Sequence, residues 1–143
     1  MAISQSRSSR TPKRQQLDVD EFEAVETQIR SARDELLVLV KKSPHDPLSK
    51  FKLSLINSLI ARANKLLGSE RPLAGFEQFD SEQIPSASDA VIVLGQYLAA
   101  LENLRVRNIK MKSGWWFWLL DGVISDRRTY GPRSLEKQRY VNA

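Results

Sequence analysis

The chain of 143 residues contains no cysteine and only one histidine, His45. The absence of cysteine excludes a disulfide-bonded scaffold, a catalytic thiolate and a zinc site built on thiolates. A single histidine excludes the common multi-histidine metal sites, and the sequence has no glycine-rich phosphate loop or dinucleotide fingerprint. We therefore expect no metal, no cofactor and no enzymatic activity, and we interpret His45 as a residue of a turn between helices.

The chain also lacks a continuous apolar segment of the roughly 20 residues that a membrane-spanning helix needs. Its first residues have neither the apolar core of a secretory signal nor the amphipathic face of a transit peptide. With the lack of cysteine, these absences predict a cytoplasmic or intracellular protein, a profile that viral proteins and secreted effectors share.

The charged residues are divided unevenly along the chain. Its 22 basic and 17 acidic residues give a net charge of +5. Residues 1–16 hold 4 basic and no acidic residues, residues 17–104 hold 9 and 14, and residues 105–143 hold 9 and 3. The three segments therefore carry +4, −5 and +6, and basic segments of this kind favour a partner that carries phosphate groups.

The spacing of apolar residues predicts three long helices. Apolar residues recur every three or four positions over 17–42, over 47–67 and from about residue 86 to 104. Gly68 is the expected stop of the second helix. The candidate N-caps are Asp18 or Asp20 for the first helix, Asp46 for the second, and Ser86 or Ser88 for the third.

The sequence therefore predicts an all-α fold, a small antiparallel helical bundle of three long helices. A short, aromatic-rich fourth element, a helix or a turn, is expected around residues 113–122. Three regions are expected: a disordered basic arm at 1–16, the helical bundle domain at 17–124, and a basic, mostly irregular C-terminal tail at 125–143.

All three tryptophans of the chain, Trp115, Trp116 and Trp118, fall within four residues, next to several cations. On a helix four successive side chains point in four directions, so they cannot all enter one core. Three interpretations remain open. The rings complete the end of the core, they stack on nucleic-acid bases beside cations that hold phosphates, or they lie at an anionic membrane surface.

The favoured function is non-enzymatic binding of nucleic acid, with RNA or another single strand preferred, in a protein of structural or assembly type. The candidate stacking or interface residues are Trp115, Trp116 and Trp118. The candidate nucleic-acid contacts are Arg7, Arg10, Lys13, Arg14, Arg105, Arg107, Lys110, Lys112, Arg127 and Arg128.

The layout of a basic arm, a small helical body and a basic C-terminal part resembles that of small helical coat and nucleocapsid proteins of RNA viruses. The resemblance implies packaging of RNA through phosphate contacts while the helices of neighbouring copies pack side by side. It rests on layout and composition, so it carries no residue roles over to this chain.

Two other functions stay open. The first is a protein–protein interaction module, either a homo-oligomer or an adaptor for an acidic protein, in which the helical seam from Phe22 to Leu39 and the apolar run Leu36–Val40 contact another chain. The second is peripheral contact with an anionic membrane through the tryptophan cluster, without a transmembrane segment.

Overall fold

The structure, a computed structural model, describes residues 17–134. The predicted arm contacts Arg7, Arg10, Lys13 and Arg14 lie outside these residues, as does the tail beyond residue 134. The elements, in chain order, are α1 (Val19–Lys42), α2 (Lys50–Leu67), a single 3-10 turn (Gly68–Glu70), α3 (Ala87–Val106), β1 (Ile109–Lys112), β2 (Trp115–Leu120) and β3 (Val123–Thr129).

The prediction of an all-α helical bundle is wrong, because the segment after α3 forms a three-stranded antiparallel sheet in the order β1-β2-β3. Two-residue turns join the strands, Ser113-Gly114 and Asp121-Gly122, and all four residues have positive φ, at 53°, 83°, 54° and 75°. Turns of this kind match the twist of adjacent antiparallel strands. The expected aromatic fourth element is therefore the central strand, and the expected boundary after residue 124 falls within β3.

The three predicted helices are present, and side-chain caps fix where each begins. Asp18 accepts a hydrogen bond from the backbone N–H of Glu21 at 3.0 Å, and Ser86 accepts one from that of Asp89 at 3.1 Å. The second helix begins later than expected, because Ser49 rather than Asp46 is its N-cap.

The residues before that cap pair with the segment that leads into α3. The N–H of Leu48 donates to the carbonyl of Pro85 at 3.0 Å, and the N–H of Ala87 donates to that of Asp46 at 3.2 Å. Asp46 is therefore occupied in joining the loop after α1 to the start of α3.

The core lies between the helices and one face of the sheet. The predicted seam of α1 is buried within this chain, with Phe22, Val25 and Ile29 fully enclosed. The run Leu36–Val40 is not buried on all sides, since Val38 is 55% exposed. Among residues 17–134, no helix has the length and apolar character that crossing a membrane requires.

Candidate nucleic-acid interface

The two faces of the sheet have different surroundings. Because side chains alternate along a strand, Trp116, Trp118 and Leu120 point towards the helices, and all three pack in or against the core. The opposite side is here called the outer face. The strand register places on it Lys110 and Lys112 of β1, Trp115, Phe117 and Leu119 of β2, and Ile124 and Arg128 of β3.

The three tryptophans divide between these faces. The Trp118 ring is fully buried, meets the ring of Phe22 edge-on with centroids 5.2 Å apart, and donates from Nε1 to a carboxylate oxygen of Glu23 at 3.1 Å. Trp116 is half-buried, whereas Trp115 is 54% exposed. Of the three predicted stacking residues, Trp115 alone has a ring open to a ligand on the outer face.

Arg105, predicted as a nucleic-acid contact, is a buried structural residue with a side chain only 2% exposed. Its Nε and Nη2 donate to the two carboxylate oxygens of Glu102, both at 2.9 Å. It also donates to Thr129 Oγ1 at 3.1 Å and to the carbonyls of Tyr130 at 2.7 Å and Gly131 at 2.9 Å. The guanidinium therefore joins α3 to the segment that follows β3.

The partner of Arg105 is held in its charged form. Burial alone would raise the pKa of Glu102, but hydrogen bonds from the Arg105 side chain and the Arg133 backbone N–H, together with the charges of both residues, lower that pKa below its ordinary value of 4.5.

Other arginines of the C-terminal part are paired with carboxylates of the helical body. Arg107 forms an ion pair with Glu70. Arg127 Nη1 lies 2.8 Å from a carboxylate oxygen of Asp20, and the hydrogen bond with Asp20 raises the pKa of Arg127. Two of the predicted contacts, Arg107 and Arg127, therefore already have acidic partners within the fold.

The remaining predicted cations, Lys110, Lys112 and Arg128, all lie on the outer face. Within residues 17–134 none of the three forms an ion pair with a carboxylate. Lys112 is the cross-strand partner of Trp115, and Lys110 and Arg128 flank Phe117 from its two sides. The guanidinium of Arg128 lies over the Trp115 ring, 3.7 Å from the ring centroid.

Phe117 is the residue of this surface that the sequence interpretation missed. The available signal was the period of two, with cations at Lys110 and Lys112 and rings at Trp115 and Phe117 on either side of a Ser-Gly turn. The arrangement places an exposed ring, Trp115, and a partly exposed ring, Phe117, among cations, which suits a ligand that has both flat rings and negative charges.

A cleft of about 860 Å³ lies between α1 and the end of β3. It is lined by acids such as Glu23 and Asp34 as well as by cations, and two of those cations, Arg105 and Arg133, are bonded to Glu102 and Glu26. The described residues contain no cluster of side chains suited to hold a metal ion. The outer face is therefore the stronger candidate for binding an anion.

Comparison of the chain with models of protein families, with curated proteins and with solved structures found no match.

Proposed function

We propose that this protein is a non-enzymatic nucleic-acid-binding protein that holds an RNA or another single strand on the outer face of its sheet. The observation that supports this most directly is the distribution of the C-terminal cations. Arg105, Arg107 and Arg127 are bonded to carboxylates on the helix side, whereas Lys110, Lys112 and Arg128 remain together around an exposed tryptophan.

The chemistry of the two kinds of side chain is complementary. Lysine and arginine neutralise phosphates and release their condensed counterions, and this effect depends little on base sequence. An aromatic ring adds stacking with any base, which is sequence-tolerant and favours unpaired strands. A surface with three cations around Trp115 is therefore expected to bind single strands with little sequence preference.

The test is an anisotropy titration of the full chain with a labelled single strand of uridines. Replacing the three cations together, Lys110→Gln, Lys112→Gln and Arg128→Gln, is expected to weaken binding and flatten its salt dependence. Since each phosphate contact to a single strand contributes a slope of about −0.7 in log K against log salt, three contacts contribute roughly −2. The affinity difference between variant and wild type should shrink by roughly 15-fold between about 50 mM and about 200 mM salt.

A charge-matched variant separates this effect from that of net charge. Lys41→Gln, Lys42→Gln and Lys52→Gln remove three exposed cations that lie on α1 and α2 rather than on the sheet. This control should keep the wild-type salt slope. Equal binding by the two triple variants would refute the proposed interface.

An anionic membrane is the competing partner for the same cations and ring. Flotation with vesicles of phosphatidylserine and phosphatidylcholine therefore accompanies the titration. The nucleic-acid proposal is wrong if neither protein binds the uridine strand, while the wild type floats with the vesicles and the triple variant of the outer face does not.

A further inference from the structure

The outer face carries two rings in line along the central strand. Trp115 and Phe117 are two residues apart in β2, so both point away from the helices. Two residues of an antiparallel strand span about 6.8 Å. Consecutive nucleotides of a helical strand are separated by about half that distance, roughly 3.4 Å along the axis.

On the basis of the proposed function, we propose that this face binds two consecutive nucleotides of an unpaired strand and holds their bases apart, one against Trp115 and the next against Phe117. The two rings are separated by about twice the stacking distance of neighbouring bases. Two bases that each stack on one ring therefore cannot remain stacked on each other. A paired duplex keeps its bases inside, so it can offer only phosphates to this surface.

The cations are placed to follow such a strand. Lys112 stands beside the first ring, and Lys110 and Arg128 stand on the two sides of the second. The backbone of each ring residue therefore lies one strand spacing, about 4.8 Å, from that of a lysine, whose long side chain can reach a phosphate beside that ring. Arg128 covers one side of Trp115, and the 54% exposure of that residue leaves ring surface open for a base.

The ends of the surface set its length. Beyond Phe117 the outer face continues with the apolar residues Leu119 and Ile124, which give no contact to a phosphate. At the other end the chain turns through Ser113 and Gly114, both of which are exposed. A bound single strand can continue past this turn. The two rings and three cations that lie between the turn and Leu119 suit two nucleotides.

The test uses the full chain and a single strand of uridines. Trp115→Leu and Phe117→Leu each remove a ring but keep an apolar side chain, and each should weaken binding roughly fivefold or more. The two losses should multiply in the double variant. Phe51→Leu is the matched control, since Phe51 is an aromatic residue on α2 that is 73% exposed, and it should leave affinity unchanged.

Two further measurements separate this inference from the function on which it rests. A duplex of the same length should bind more weakly, and its affinity should not respond to the ring variants. Two adjacent 2-aminopurines in a single strand give a circular dichroism band that reports their mutual stacking, and binding should abolish it.

Several results would overturn the two-base site while nucleic-acid binding itself stands. They are a retained 2-aminopurine band, a loss with Trp115→Leu but none with Phe117→Leu, or a double variant no weaker than the single ones. Binding that responds neither to the rings nor to the three cations of the outer face would instead refute the proposed function.

Discussion

Replacing Arg105 by methionine removes the guanidinium that joins α3 to the segment after β3 while keeping the apolar length of the side chain. Five hydrogen bonds are lost, two to Glu102 and one each to Thr129, Tyr130 and Gly131. The carboxylate of Glu102, whose side chain is 19% exposed, loses its closest cation.

The expected loss of unfolding free energy follows from that burial. Removing one member of a buried ion pair costs about 3–5 kcal/mol where the other member is left without a partner. Because Arg133 Nε still lies 3.6 Å from a carboxylate oxygen of Glu102, we expect the lower end of that range, about 3 kcal/mol. For a domain of this size, such a loss corresponds to a fall in Tm of roughly 10–20 °C. The double variant Arg105→Met/Glu102→Gln should recover part of that loss, because the buried carboxylate that loses the guanidinium is itself removed.

Thermal unfolding, followed by the circular dichroism signal of the helices, measures the loss of stability in the single variant and in the double variant. A loss below about 1 kcal/mol for Arg105→Met would be typical of an exposed ion pair and would refute the structural role argued for this residue. At temperatures where the variant is fully folded, its affinity for a uridine strand should equal that of the wild type. A loss of affinity in the fully folded variant would show that Arg105 takes part in binding the strand.

Two further predictions concern the same region. Gly131→Ala should lower Tm, because an added Cβ would lie 2.7 Å from Nε1 of Trp116. Crowding of this kind costs about 1–3 kcal/mol. An unchanged melting curve would show that the segment shifts without strain. The unfolding free energy should also fall as the pH is lowered through the pKa of Glu102, which lies below 4.5. A carboxyl whose pKa is lowered in the folded state stabilises the fold above its unfolded pKa and loses that contribution when it is protonated. Glu102→Gln should flatten this part of the profile measured by urea unfolding at several pH values, and an equally steep decline in that variant would assign the acid sensitivity to other carboxylates.

The three helices could be predicted because each depends on local patterns. The three-to-four spacing in α1 and the caps Asp18 and Ser86 are visible within a few residues of the chain. The start of α2 could not be placed in this way. Asp46 has the chemistry of a cap, but its backbone is used in pairing with residue 87, which is distant in sequence.

The sheet was missed although its turns left a local signal. Asp-Gly between apolar runs is a strong sign of a two-residue hairpin, and Asp121-Gly122 follows the run Trp115–Leu120 directly. An unbroken apolar run hides the alternation of a strand, since residues on both faces of β2 are apolar. The difficulty of pointing four consecutive aromatic residues into one core on a helix was itself an argument for a strand, which sends Trp116 and Trp118 to one side and Trp115 and Phe117 to the other.

The division of cations between structure and surface could be predicted only in part. Glu102 and Arg105 are three residues apart on a helix, so their pairing is visible in the sequence. The pairs Arg127–Asp20 and Arg133–Glu26 each join residues 107 positions apart. They depend on how β3 lies against α1, which no local pattern encodes.

These long-range pairs also bear on how a salt titration of binding is interpreted, because salt screens the fold and the ligand contacts together. The pairs of Arg127 and Arg133 with α1 are exposed or partly exposed, and pairs of that kind contribute only about 0–1 kcal/mol each. The sheet is also held by Trp118 and Ile109, whose burial does not weaken with salt as an ion pair does. Screening is therefore expected to leave the sheet in place against the helices. A salt dependence of the affinity that is smaller in the triple variant of the outer face than in the wild type then reports on phosphate contacts rather than on partial unfolding.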